Sequence, residues 1–135
     1  MIERLLLVGL LFSLGALTYY AMTRYQLTRV TVNAAQRDTL LHTVPFGMPT
    51  IISFSTPTCA ACNFQQTPIL TQVQHEIGER LHVIKVDATQ DSDAATRWGV
   101  FSVPTTFVVD GKGKPHQVYN GVVSVEALRR AVEQL

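Results

Sequence analysis

The sequence predicts an α/β domain with a mixed central β-sheet flanked by helices, preceded by one N-terminal transmembrane helix. Three observations support this fold class. An uncharged apolar run opens the chain, and short β-branched runs then alternate with segments of helical periodicity. Near the carboxyl end, the sequence Asp110-Gly111-Lys112-Gly113 predicts a hairpin, which adds an antiparallel strand pair to the sheet.

Composition limits the domain count and the function classes. A length of 135 residues allows one domain and little more. The net charge of +1 argues against nucleic acid as the main partner, because such proteins usually carry a basic stripe. The 2 cysteines exclude a scaffold held by several disulfides.

The apolar run at the amino terminus predicts a membrane anchor. Arg4 and Arg24 enclose the uncharged segment from Leu5 to Thr23, whose helical length of roughly 30 Å matches the hydrocarbon core of a bilayer. Tyr19 and Tyr20 lie at one end, where interfacial aromatic residues are expected. We therefore expect a single-pass span in the cell membrane. A cleaved signal peptide is the alternative, although no convincing small-x-small cleavage site follows the run.

The domain boundaries follow from the anchor. Residues 1–23 are the expected anchor, and residues 24–45 are an expected juxtamembrane linker that includes the start of a domain covering residues 30–135. Within the linker, alternation around Val30 to Val32 predicts a short strand, and Ala34 to Leu41 predicts a short helix.

The remainder predicts the order strand, helix, strand, helix, strand, strand, helix. The first three strands are apolar runs with β-branched residues, the fourth follows the predicted hairpin turn, and capping residues precede the last two helices. The strands are expected at Thr50–Phe54, Leu81–Val86, Thr105–Val109 and His116–Tyr119, and the helices at Cys59–Ile77, Asp91–Trp98 and Ser124–Leu135.

The two cysteines form the motif Cys59-Ala60-Ala61-Cys62 at the predicted start of a helix. The helix amino terminus favours a thiolate at Cys59, and Cys62, one turn later, can attack a mixed disulfide formed there. A metal site and an inert structural disulfide are the alternatives. The 4 histidines are scattered without ligand spacing, so we expect redox exchange and no metal.

Further motifs accompany this pair. Val103-Pro104-Thr105 precedes the third strand, Lys85 and Asp87 lie in the second, and Trp98-Gly99-Val100 comes before the proline motif. Together these motifs resemble the thioredoxin family over residues 30–135. The resemblance implies a thioredoxin-like fold and a membrane-tethered protein-disulfide reductase or oxidoreductase, and hence an enzyme.

The resemblance also implies how the site works. The Cys59–Cys62 redox-active disulfide needs no cofactor and exchanges with protein thiol and disulfide substrates, supported by an upstream thiol electron donor. Cys59 attacks and Cys62 resolves.

The resemblance assigns supporting residues as well. Pro104 is expected to be a cis-proline beside the dithiol, Val103 and Thr105 position the substrate with Thr58, and Lys85 modulates the local charge. Thr58 stands where the family usually has tryptophan.

Two departures from the family pattern keep other functions open. Thr58 removes part of the apolar substrate platform, and Ser53 stands where the family has the buried acid that accepts a proton from the second cysteine. An accessory or structural subunit of a membrane complex, docking to other membrane subunits through this fold, is the alternative. A dithiol oxidant or isomerase is a third interpretation.

The side of the membrane depends on conflicting signals. Counting Lys and Arg beside the span favours a cytoplasmic domain by one charge. The resemblance implies the extracytoplasmic side of a bacterial membrane, and we expect that location.

Overall fold

A computed structural model of the chain describes residues 1–33 and 38–135, with only the backbone given for residues 29–33. The order of strands and helices after the anchor is the one the sequence predicts. The helices are α1 (Ile2–Asn33), α2 (Thr67–Ile77), α3 (Ser92–Arg97) and α4 (Val125–Glu133), and the strands are β1 (Thr50–Ser55), β2 (His82–Asp87), β3 (Thr105–Val109) and β4 (Pro115–Asn120).

The four strands form one mixed sheet in the order β2-β1-β3-β4. β1 and β2 are parallel, as expected for strands joined by a crossover helix, and β3 is antiparallel to both β1 and β4. In this register Phe54 lies opposite Thr105, and Thr105 lies opposite Asn120. The carboxyl end of β1, the amino end of β3 and the carboxyl end of β4 therefore meet at one end of the sheet.

Alternation along the strands builds one apolar layer on each face of the sheet. On one face Phe54, Trp98 and Phe107 pack together, with ring centroids 5.1 to 6.4 Å apart. On the other face, Ile51 and Val108 pack beneath α2 and α4. This second layer supports the helix that begins beside the two cysteines.

Helix α1 is much longer than the predicted anchor. Among the described residues it is the one helix long and apolar enough to cross a membrane, over Ile2–Thr28, and a signal sequence has the same properties. The short strand predicted at Val30 and Val32 is wrong, because α1 continues to Asn33. No glycine or proline lies between Gly15 and Pro45, so helix propagation meets no strong breaker there.

The helix predicted over Ala34–Leu41 lies partly outside the described residues. What the structure describes of it is a single 3₁₀ turn, Thr39–Leu41, capped by the Asp38 carboxylate, which accepts a hydrogen bond from the Leu40 N–H at 3.0 Å. The same carboxylate joins this turn to the domain. It accepts hydrogen bonds from Arg97 Nε at 3.2 Å and from Trp98 Nε1 at 3.1 Å.

These contacts set the charge state of Asp38. Burial alone would raise the pKa of its carboxyl, but the hydrogen bond and positive charge of Arg97, with the Leu40 and Trp98 donors, outweigh burial and lower the pKa. The ionised carboxylate therefore stabilises the fold.

We expect Asp38→Asn to lower the free energy of unfolding at pH 7 by about 1–2 kcal/mol, since a charged acceptor is lost. The folded-state pKa of Asp38 is depressed, so this stabilisation is complete above the unfolded pKa of about 4 and disappears as the pH falls below it. Urea unfolding of both proteins between about pH 7 and pH 3 measures it. A difference that does not shrink at acidic pH would contradict this assignment.

Candidate active site

The two cysteines lie just beyond the carboxyl end of β1 and form a disulfide, with 5.3 Å between their Cα atoms. A turn through Thr56 and Pro57 leads to them, and the Cys59 N–H donates to Thr56 O at 3.2 Å. The helix then begins at Ala60. The strand, the turn and the helix start thus hold the disulfide at the sheet end where Thr105 and Asn120 also lie.

The two sulfur-bearing residues have different surroundings. Cys62 is buried, with 2% of its surface exposed, whereas Cys59 is only half-buried. The backbone N–H of Cys62 donates to Cys59 Sγ at 3.1 Å. An N–H donor at a helix start favours a thiolate, so in the reduced form this N–H would stabilise negative charge on the more accessible sulfur.

The helix carrying Cys62 begins with a wide turn. Residues Cys62–Gln66 form a π-helical segment, and Thr67 bonds Cys62 O through both its N–H and its hydroxyl, the latter at 2.9 Å. Pro68 follows and has no N–H to offer the carbonyl four residues earlier. The wider turn fits this proline, and π-segments often occur at functional sites.

The loop before β3 completes the site. The peptide bond between Val103 and Pro104 is cis. Pro104 is buried, and its carbonyl oxygen accepts the Gly121 N–H at 2.8 Å, while the Thr105 hydroxyl donates to Ser102 O. Since Thr105 pairs with Phe54 at the end of β1, the proline loop lies at the same sheet end as the disulfide.

The other predicted site residues, Thr58 and Lys85, are both exposed but lie in different parts of the fold. Thr58 precedes Cys59 and is exposed. Lys85 is exposed on the edge strand β2, where it pairs with Ser53 of β1. Ser53 itself is buried. Thr58, Val103 and Pro104 lie in the loops at the disulfide end of the sheet. Lys85 lies within β2, opposite Ser53, and so further from that end.

Two buried polar residues near this site were missed by sequence reasoning. Gln66 lies one turn after Cys62 on the same buried side of the helix, and its Oε1 accepts the Val123 N–H at 3.0 Å. Gln66 Nε2 and Thr106 Oγ1 are buried without a hydrogen-bond partner among the described residues. Thr106 pairs with Ser53 across the sheet. A polar side chain within the apolar spacing of Cys62, Leu70 and Val73 was the available signal for Gln66.

The unpartnered hydroxyl of Thr106 makes a stability prediction. We expect Thr106→Val to leave the free energy of unfolding unchanged or raise it by up to about 1 kcal/mol, because it removes a buried polar atom without breaking a bond. The matched control, Thr105→Val, removes a bonded hydroxyl and should cost about 1 kcal/mol. Denaturant unfolding compares the two, and a loss at Thr106 as large as at Thr105 would show that this hydroxyl has a stabilising partner.

Neither the site nor the rest of the described chain brings together a group of three or more His, Cys, Asp or Glu side chains that could hold a metal ion.

Comparisons with known proteins agree with this geometry. Residues 30–134 match the family model described as Thioredoxin. Thioredoxin of Bacillus subtilis is 29% identical over 84 residues, which cover 62% of this chain and 79% of that protein. Chloroplastic thioredoxin Y of rice is 27% identical over 85 residues, and the match covers 63% of this chain but only 49% of the rice protein.

A solved structure shares the fold. Fasciola hepatica thioredoxin superposes with a TM-score of 0.62 at 24% identity, covering 75% of this chain and 92% of that one. With the family model matching most of its length, the chain belongs to the thioredoxin family, and its fold and cysteine pair indicate a thiol–disulfide oxidoreductase.

Proposed function

We propose that this protein is a membrane-tethered thiol–disulfide oxidoreductase that reduces disulfides of protein substrates through Cys59 and Cys62. The observation that carries the proposal is the unequal exposure of the two cysteines beside the proline loop. The accessible Cys59 sulfur, with the Cys62 N–H directed at it, suits an attacking thiolate, and the buried Cys62 suits a resolving thiol.

The reaction proceeds in two exchanges. The Cys59 thiolate attacks one sulfur of a substrate disulfide, forming a mixed disulfide and releasing the other substrate sulfur as a thiolate. Cys62, once deprotonated, attacks Cys59 Sγ, closes the Cys59–Cys62 disulfide and releases the second substrate thiolate. Two electrons pass to the substrate, and an upstream thiol donor returns the pair to the dithiol form.

The surrounding loops hold the substrate in this proposal. An extended substrate segment pairs with the backbone at Val103, beside Pro104 and Thr105, and Thr58 contacts it from the other side of the disulfide. Lys85 adds positive charge on β2, the strand next to β1. The hydrogen bond from Gly121 to Pro104 O supports this arrangement, because it fixes the loop against the end of β4.

The anchor makes the enzyme a membrane protein in this proposal. The exposed apolar side chains of α1 fit a lipid environment, and we place the domain on the extracytoplasmic side of a bacterial membrane. Its substrates there are protein thiols and disulfides at the membrane surface.

Insulin reduction tests the proposed function. With dithiothreitol as the electron donor, we expect the wild-type protein to accelerate insulin precipitation and Cys59→Ser to return the rate to that of dithiothreitol alone. Turbidity against time measures both. Equal and negligible acceleration by the two proteins would instead favour the accessory subunit, in which Ser53 and Thr58 belong to a docking module without catalysis.

A further inference from the structure

The helix that carries the apolar span also contacts the catalytic domain. Gln26 is only 4% exposed, its Nε2 donates to Gly99 O at 3.0 Å, and its Oε1 accepts from Asn120 Nδ2 at 3.2 Å. Arg24 is the first charged residue after the apolar run, so Gln26 lies only about 3 Å further along the helix axis. Helix α1 is continuous from the uncharged apolar run, Leu5 to Thr23, to this contact, which lies near the end of the stretch Ile2–Thr28.

The contact lies at the disulfide end of the sheet. Asn120 pairs with Thr105, and Thr105 pairs with Phe54 near the end of β1. With adjacent strands about 4.8 Å apart, Asn120 is roughly 10 Å across the sheet from the strand that leads to Cys59. Gly121, the next residue, bonds the carbonyl of Pro104. Gln26 thus holds the strand end that borders the proline loop.

The path of the chain fixes which end of the domain lies nearest the span. Leu27 packs against the core layer that contains Trp98. Further along the chain, Gly47 lies at the opposite end of the sheet, where its N–H donates to Gly111 O at 2.9 Å in the β3–β4 turn. Among the described residues, the contacts of α1 through Gln26 are therefore with the disulfide end of the sheet.

The same end presents exposed apolar side chains. Phe101 is 58% exposed and borders a cleft of about 200 Å³ together with Met22 and Tyr25 of α1. Phe64, 81% exposed, follows Cys62 in its helix, and Val122 follows Gly121. Such residues are favourable at a membrane interface, where apolar and aromatic side chains are accommodated.

We propose that Gln26 holds the disulfide end of the domain against the membrane surface, so that the enzyme acts on cysteines in the segments of membrane proteins that immediately flank the bilayer. This inference rests on the proposed function and specifies its substrate class. The substrate is an extended cysteine-bearing segment within a few residues of a transmembrane span.

Spacer length in the substrate tests this placement. The full chain is reconstituted in its reduced form in phosphatidylcholine–phosphatidylglycerol vesicles with transmembrane peptides, each carrying one cysteine disulfide-linked to a fluorescent thiol. The cysteine lies about 3, 12 or 24 residues beyond the peptide's span, which allows a maximal reach of roughly 10, 40 or 80 Å. Release of the fluorescent thiol gives the rate. We expect the shortest spacer to react at least about ten-fold faster than the longest, because it stays at the height of the disulfide.

Two variants separate the contact from other causes. A Gly-Ser insertion of about ten residues directly after Arg24 frees the domain from the span, and we expect it to reduce the spacer preference to less than about three-fold while insulin reduction is unchanged. The same insertion after Leu135 is its control and should keep the preference. Gln26→Ala should weaken the preference, whereas Gln72→Ala, at an exposed glutamine of α2, should not.

The outcomes distinguish this inference from the proposed function. Rates that do not depend on spacer length in the wild type, or a preference that survives the insertion after Arg24, would overturn the placement at the membrane while insulin reduction persists. Absence of insulin reduction in every form would overturn the proposed function itself.

Discussion

Replacing Cys62 by serine is expected to stop the reaction at the mixed disulfide on Cys59. The variant keeps the accessible sulfur but lacks the buried thiol that attacks it in the second exchange. Insulin reduction should fall at least about 100-fold, and a covalent adduct with the substrate should accumulate and disappear on reduction. Non-reducing electrophoresis and mass spectrometry of the adduct would identify Cys59 as the attachment point.

Two control variants show which of the two cysteines attacks the substrate. Cys59→Ser should form no adduct, because Cys62 is only 2% exposed. Ala60→Ser introduces a hydroxyl within the same turn at an exposed position and should leave turnover within about two-fold of the wild type. An adduct that forms on Cys62 in the Cys59→Ser protein would reverse the proposed roles of the two cysteines.

The sequence was most informative where local pattern and tertiary burial agree. The β-branched run in β1 is buried on both faces of the sheet, so its composition alone indicates a central strand. The caps at Asp91 and Ser124 accept hydrogen bonds from Ala94 and Ala127, as their residue types predict. The cysteine motif lies at a helix start because strand, turn and helix follow one another within a few residues.

Long-range contacts could not be predicted in the same way. Gln26 contacts Gly99, which is 73 positions away in the sequence, and Asn120, which is 94 positions away. Nothing in the polar segment around this glutamine indicates that it is buried. Around Val30, two alternating valines suggested a strand, but cooperative helix propagation from the long apolar run prevailed.

The buried polar residues behind the disulfide show a second limit of sequence reasoning. Ser53 and Thr106 look like ordinary strand residues, and only the sheet register shows that they are neighbours. Because Gln66 uses its amide oxygen on Val123, its position depends on a loop 57 residues away. Which polar groups are buried together thus depends on long-range contacts of the fold. The apolar periodicity around them can be read from each segment of the sequence alone.

The aromatic layer beneath the sheet should have the largest effect on stability. Phe107 is fully buried, with its ring centroid 5.1 Å from that of Trp98 and 5.9 Å from that of Phe54. We expect Phe107→Ala to lower the free energy of unfolding by about 3–5 kcal/mol, through lost burial and the cavity left between the two remaining rings. Phe64→Ala, which removes an exposed ring, should change it by less than about 1 kcal/mol.

Fluorescence of Trp98, the single tryptophan, follows urea unfolding of the full chain in detergent. A loss below about 1 kcal/mol for Phe107→Ala would mean that the neighbouring side chains fill the space of the missing ring. The packing of this layer would then contribute little to the free energy of unfolding. The layer lies on the face of the sheet opposite α2, whose preceding turn carries Cys62, so its loosening should not alter the sulfur chemistry directly. Below its unfolding transition, Phe107→Ala should therefore still reduce insulin, because the hydrogen bonds described for Cys59 and Cys62 come from the turn after β1 and from the helix start. The aromatic layer contacts α1 through Leu27, and Gly99, next to Trp98, bonds Gln26. In this variant the free energy of unfolding should fall and the packing of α1 on the domain should weaken, whereas insulin reduction should persist.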